Sequence, residues 1–474
     1  MKKHTLTLSA TLLLASACID NTVVSPENAA TVDALSGALT RGGVTTLALG
    51  VLAADRAYVR GDATYYQLSS IYSRDVYRVE ATEPRYVTET LTGAADPGSF
   101  AGSGGWTNGY VATRAAISLL DALPTVEDLQ VSAAERNVTA GLVQTIKALD
   151  YYRLLELRDT LGVAIQTKDA AEVPPISCKA TVLTYIVGQL DSANTALASV
   201  PATTKLPFTP PTGFTAFGRN YSQADNLIKL NRGLRGKVQV YRGLQRPTPV
   251  AGAFTDAIAN LTQALGGAAP GAVPSSTFGN GAYVTFVAGG TENAANPIVG
   301  ATIAANPKAV AALQAGDTRA SKFVARATAL SGSGVTSSVN YVFATTAVTS
   351  NQTRPLPILR DEEVVLLRAQ AYFEAGQFAN GAADLNSVRT TYGLAAIAVP
   401  ADIATARAAL LYEKRYSLFF EGPGRLVDLR AYGQLKAGIT TPEGPNDPFN
   451  TAFPIPKGEA DARGGRDKLT PVCS

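Results

Sequence analysis

Paired carboxylates are the one enzymatic option that this chain offers. Glycoside hydrolysis needs two carboxyl groups about 5 Å, or about 6.5–9.5 Å, apart across a cleft. Glu413, Glu421, Asp428 and Glu459 supply the number. Each has a basic residue close by in sequence, which suits structural ion pairing better than catalysis. The remaining catalytic vocabulary is missing: there is no Walker loop, no G-x-G-x-x-G opening a helix after a strand, no C-x-x-C and no H-E-x-x-H. The single histidine, His4, stands in the N-terminal leader. Its removal would leave no histidine for a nucleophilic triad or a zinc site. The sequence therefore implies no enzyme, no cofactor and no metal.

Binding through aromatic rings is the better-supported chemistry. Sugar rings present flat C–H faces that stack on Tyr, Trp or Phe, while their hydroxyls bond to polar side chains. Tyr65, Tyr66, Tyr72 and Tyr77 crowd into thirteen residues ahead of a glycine-rich loop that carries Phe100. These five are the candidate ligand-binding residues, because loops on rigid scaffolds carry binding sites. Phe208, Phe214, Phe217 and Tyr221, in a proline-rich stretch, form a second candidate surface. Trp106 and Tyr110 read as packing residues of a helix.

Such residues need a frame, and its clearest part is Leu359 to Arg430. Asp361 is placed to cap a helix, with Glu362 and Glu363 at its positive end. Val364, Leu367 and Ala371 recur at helical spacing, and Gly376 stands where a left-handed glycine ends a helix. Phe378, Ala382, Leu385 and Val388 begin a second stripe, giving a helical hairpin close to a tetratricopeptide pair. Farther on, Glu413, Lys414, Arg415, Glu421, Arg425, Asp428 and Arg430 are interleaved with Leu418, Phe419, Phe420 and Leu429. Charges among so many large apolar residues must be paired. Glu421 and Arg425 would form an i,i+4 pair only if helix continued through Pro423 and Gly424.

This block resembles the SusD/RagB family of outer-membrane nutrient-binding lipoproteins. Arg360, Glu363, Ala369 and Ala371 match the family's opening helix, and Leu385, Asn386, Val388, Arg389, Gly393 and Leu394 its "LN.VR...GL" run. Glu413, Arg415, Leu418, Phe420, Glu421, Gly422, Arg425, Asp428, Leu429 and Arg430 match its charged signature. Phe453, Pro454, Ile455, Pro456 and Glu459 match its closing "FPIP..E". Ser417 stands where the family usually has glutamate, and Pro423-Gly424 lengthens the gap before Arg425. The usual asparagine after the closing glutamate is missing. The resemblance implies a mainly α, SusD-like scaffold of tetratricopeptide-like hairpins overlaid by loops and short β-strands. It also implies a protein that binds a nutrient such as an oligosaccharide, without turning it over. The nutrient would pass to a TonB-dependent, SusC-like outer-membrane β-barrel transporter. A non-catalytic helical scaffold of the envelope and a secreted glycoside hydrolase are the alternatives.

The N-terminus agrees with export. A basic start, an apolar run from Leu6 to Leu14 and the sequence Leu14-Ala15-Ser16-Ala17-Cys18 make a lipoprotein signal over residues 1–17, with Cys18 as the lipidated first mature residue. The expected location is the outer membrane, lipid-anchored, at the cell surface. Losing Lys2 and Lys3 takes the net charge from +3 to about +1, so no bulk basic field favours nucleic acid. Outside the cytoplasm, Cys178 and Cys473 are candidates for a disulfide. Residues 18–474 read as one SusD-like domain. Helical scaffold occupies about 18–250, a loop- and β-rich excursion about 266–348, and the signature helices 358–460. Helices are expected at Asn28–Gly50 running on through Leu47–Tyr58, then at Trp106–Leu123, Val131–Leu161, Leu183–Leu197, Leu227–Tyr241 and Phe254–Leu265. Strands are expected at Tyr283–Val287 and Ser338–Phe343. Lys229, Arg232, Arg235, Lys237 and Arg242 read as the solvated face of their helix.

Overall fold

The computed structural model describes residues 39–60, 64–287 and 295–465. Two long partners open it: α1 (Arg41–Arg60) packs on α5 (Thr107–Ala122), and both meet α6 (Ala133–Arg158). Between them lie a π-turn at Thr64–Leu68 and three short helices, α2 (Ser69–Tyr72), α3 (Arg85–Thr88) and α4 (Phe100–Ser103). From α6 the chain steps sideways: α7 (Lys179–Ala198) packs on α6, α8 (Ala224–Gly243) on α7, and α9 (Ala253–Ala264) on α8. After the β-rich excursion and a short α10 (Pro307–Ala311), α11 (Asp361–Glu374) joins this row beside α8 and α9. It pairs with α12 (Phe378–Thr391) and receives α13 (Ile403–Ser417). The last helices are α14 (Gly424–Ala431) and α15 (Lys457–Ala462). Successive hairpins side by side are the arrangement that the α11–α12 sequence pattern implies.

Local signals set the helix ends. Ser132 and Glu135 form a reciprocal capping box at the start of α6, and Asp402 accepts a bond from the Thr405 amide at the start of α13. Gly376 adopts φ +75°, and the Gly376 and Gln377 amides close α11 on Phe373 and Tyr372. Gly381 lets α12 lie against α11, since a Cβ there would stand 2.5 Å from the Phe373 ring. The buried apolar residues from Val44 to Ile455 form one continuous core.

Among the described residues, eight strands make four antiparallel pairs: β1 (Val76–Arg78) with β5 (Ile303–Ala305), β2 (Val163–Ala164) with β3 (Ile176–Ser177), β4 (Gly281–Val284) with β8 (Leu356–Arg360), and β6 (Phe323–Gly332) with β7 (Val335–Tyr341). In the β4–β8 pair Gly281 lies opposite Arg360, so the excursion is stitched to the residue that opens α11.

Three expectations need correction. The charged C-terminal stretch, which its sequence pattern gives as a single third helix, is two helices, because the chain breaks at Leu418–Pro423 with Phe420 at φ +64°. Glu421 and Arg425 therefore do not pair: Glu421 accepts from Arg360, and Arg425 forms an ion pair with Asp75. Asp361 does not cap α11. Its carboxylate takes a two-pronged bond from Arg219. The basic face of α8 is not solvated either. Arg235 bonds Asp191 and Asp256, and Lys237 bonds Glu156 and Glu363, because α8 is sandwiched between neighbouring helices. The part of the first expected helix before Leu39, the Cys18 lipidation site and Cys473 lie outside the described residues. Cys178 is disulfide-bonded. Both other cysteines of the chain, Cys18 and Cys473, lie outside the described residues.

Candidate functional site

The signature charges form a buried frame. Arg360 donates Nε to Glu421 (3.0 Å), Nη2 to the Ser417 carbonyl (3.0 Å) and Nη1 to Glu362. Burial pushes the Glu362 carboxyl up, but the Arg360 charge and hydrogen bond outweigh it and hold that group down to about 2. Arg319 bonds Asp317 and Glu413 (2.7 Å), and Arg389 reaches the other oxygen of Glu413 (2.8 Å). The hydroxyl of Ser417, where the family usually has glutamate, accepts from Arg319 at 2.9 Å. Lys414 bonds Asp428 (2.7 Å), Tyr241 and Gln370. Asp75 holds both Arg415 (2.8 Å) and Arg425 (3.2 Å). Arg430 donates to the Glu156 and Thr451 carbonyls. Glu459 accepts from Arg463 and from the Trp106 indole (3.2 Å). All four carboxylates with the number for hydrolysis are thus engaged by cations.

The closing motif is structural too. Phe453 stacks on Tyr72 (4.2 Å, 5° between planes), Pro454 lies beside Gly102, and Pro456 precedes α15.

The four clustered tyrosines do not present ring faces to solvent. Tyr65 is 8% exposed and donates to Glu156 (2.9 Å). Tyr66 is 1% exposed, Tyr72 lies under Phe453, and Tyr77 bonds Glu443. The π-turn and the turn after it are buried all round, so these rings serve packing. Phe100 alone of the five is half-buried. It meets Tyr86 edge-on (4.9 Å) beneath the Arg85 guanidinium, while Arg78 covers Tyr86 at 3.7 Å. Phe208, Phe214 and Tyr221 are buried, and only Phe217 is half-buried.

An aromatic surface that does open to a cavity lies elsewhere. A cleft of about 460 Å³ separates the signature frame from the excursion. Tyr283, Tyr341, Phe343, Tyr392 and Phe420 line it, together with Arg319, Lys322, Arg354, Arg360, Glu362 and Glu421. Tyr283 is placed by β4, Tyr341 by β7, Arg360 by β8, Phe343 by a 3-10 turn at Val342–Ala344, and Arg319 and Lys322 by the 3-10 turn Thr318–Lys322 that Asp317 caps. Tyr283 is braced by Phe217 at 4.3 Å, and burial pushes its hydroxyl up to about 12. Arg354 lies 3.4 Å over the Phe343 ring, and Arg319 lies 4.7 Å from Tyr392. Rings, donors and acceptors thus converge on one concavity. Of the residues proposed from sequence, Arg360 and Glu421 reach this cleft, whereas the tyrosine cluster does not. Tyr283, Phe343, Tyr392, Lys322 and Arg354 were missed. The one available signal was the aromatic content of the β-like excursion.

A second cleft, of about 470 Å³, is lined by Trp106, Tyr110, Arg114, Gln166, Val173 and Arg463 among others. Trp106 packs edge-on against Tyr110 at 4.9 Å. Among the described residues, no group of three or more His, Cys, Asp or Glu is placed to hold a metal, and no helix is long and apolar enough to cross a membrane.

No protein-family model matches this chain, and no curated protein matches it. Solved structures do. A SusD superfamily protein from Parabacteroides distasonis superposes with a TM-score of 0.64 at 13% identity, covering 89% of this chain and 98% of its own. A SusD-like carbohydrate binding protein from Bacteroides vulgatus gives 0.61 at 15% identity, with 83% and 84% covered. A laminarin binding SusD-like protein gives 0.61 at 18% identity, with 87% and 96% covered. The chain has the SusD fold over most of its length.

Proposed function

We propose that this chain is a divergent SusD/RagB member that captures an oligosaccharide in the 460 Å³ cleft and delivers it to a TonB-dependent, SusC-like barrel. The observation that carries the binding reading is the convergence of Tyr283, Phe343 and Tyr392 with charged donors and acceptors on that cleft. The two neighbours described as carbohydrate and laminarin binders support the ligand class. Capture proceeds without turnover, since Glu413, Glu421, Asp428 and Glu459 are each tied to a cation. Lipid on Cys18 would hold the single mature domain at the outer-membrane surface.

The test is calorimetry of the purified protein against a panel of oligosaccharides, with Tyr283→Ala and Tyr392→Ala as variants. A hit that weakens about tenfold or more in either variant supports capture at this cleft, because stacked rings contribute on the order of 1–2 kcal/mol. No hit across the panel favours the envelope scaffold, and shortened products favour the hydrolase. Two further outcomes bear on placement: Cys18→Ala should release the protein from membranes, and gentle detergent extraction should co-purify a large β-barrel.

A further inference from the structure

The charges lining the cleft do not balance in place. Its two carboxylates, Glu362 and Glu421, are both taken by Arg360. Arg319 is answered from behind by Asp317 and Glu413. Two cations remain. Lys322 donates Nζ to the Tyr416 carbonyl (2.6 Å) and the Ser417 carbonyl (2.9 Å), at the C-terminal end of α13. An ammonium has three donors, so one is left over, and no carboxylate pairs with Lys322 among the described residues. Burial pushes its pKa down to about 8. Arg354 is exposed, rests on Phe343 and has no carboxylate partner among the described residues. A stacked guanidinium keeps its N–H edge free for an anion.

We infer that the cleft selects an acidic saccharide, an oligosaccharide bearing uronate or sulfate groups, whose anionic group is taken by Lys322 and Arg354. This rests on the oligosaccharide-capture reading above. A neutral sugar would stack on the same rings but leave Arg354 without a carboxylate partner and Lys322 with an unused donor. An anionic one supplies a charge-assisted partner to both groups.

The experiment uses the full-length protein in detergent. It compares tetragalacturonate and a sulfated chondroitin tetrasaccharide with cellotetraose and laminaritetraose, each by calorimetry at low and high salt. The expected result is an acidic ligand bound about tenfold or more tighter than the neutral ones, as one charge-assisted contact allows, with the gap shrinking as salt rises. Arg354→Gln lies at the surface and should remove most of that gap, weakening the acidic ligands far more than the neutral ones. Lys322→Gln should act in the same direction, with the melting temperature as its folding control. Neutral ligands bound equally well or better would overturn the charge inference and leave capture standing. An acidic preference that survives both substitutions would overturn the assignment to this cleft. No saccharide bound by the unmodified protein would defeat capture and charge selection together.

Discussion

Removing either half of the Arg368–Asp384 pair should destabilise the fold far more than removing both. Both side chains are fully buried, and the guanidinium meets the carboxylate at 2.7 and 2.8 Å. The same guanidinium donates to the Ala268 and Ala269 carbonyls, and Asp384 accepts from the Gly271 amide. One ion pair therefore fastens the α11–α12 hairpin to the loop after α9. Breaking such a pair strands a buried charge and costs about 3–5 kcal/mol, whereas replacing both members with apolar residues of similar volume is often nearly neutral. Arg368→Met and Asp384→Leu should each lose that much, and the double variant should recover at least half of the summed loss. At about 2.1 cal/mol/K per residue the unfolding entropy of a chain this long is near 1.0 kcal/mol/K, so each single variant should melt about 3–5 °C lower. Urea denaturation of the four proteins gives the cycle directly. A coupling energy below about 0.5 kcal/mol would refute the argument, since residues in contact couple by more than that.

Other outcomes follow from the same structure. Lys147 is buried beside the Tyr185 ring, and desolvation pushes its pKa down to about 8. Its ammonium is charged in both states at pH 7, so the folded chain bears the full desolvation penalty there. As pH rises from about 8 toward 10.4, the folded form sheds its proton first and stability rises. Lys147→Met should therefore be more stable at pH 7 by up to about 3 kcal/mol, with the advantage narrowing in melts at pH 9; a constant gap would contradict this. Unreduced peptide mapping should find Cys178 joined to Cys473, and Cys178→Ser should cost about 2–5 kcal/mol; a free Cys473 would reject the pairing. Glu413→Gln should lower the melting temperature by several degrees, because Arg319 and Arg389 share that carboxylate. It should not change any glycan turnover, and a selective loss of activity in a normally stable variant would revive the hydrolase.

The helical frame was legible because periodicity and punctuation are local. The stripe from Val364, Gly376 as a stop and the Phe378 restart all survive in α11 and α12. The need for pairing among the signature charges was also legible, since lone buried charges are too costly. The identity of the partners was not. Arg360 meets Glu421 across 61 residues, and Arg415 meets Asp75 across 340. The tyrosine cluster misled because a segment buried on every side has no amphipathic pattern to betray it. Lys237 misled for a related reason: a helix with neighbours on two sides has fewer free positions than a helical wheel suggests. The cleft itself is assembled from Gly279 to Glu421, so no single stretch announces it.

The meeting of the segment 72–106 with the segment 415–459 has a consequence in time. Asp75 waits for Arg415 and Arg425, Tyr72 for Phe453, and Trp106 for Glu459. A chain delivered N-terminus first therefore holds its early aromatic segment without its covering partners until almost the last residue has emerged. Contacts this distant in sequence make assembly slow, because loop closure must precede the reward. Completion is thus tied to arrival of the C-terminus, and a product cut short near residue 410 would leave Asp75 buried without a cation and Tyr72 uncovered. Such a fragment is a substrate for proteolysis rather than a smaller working protein.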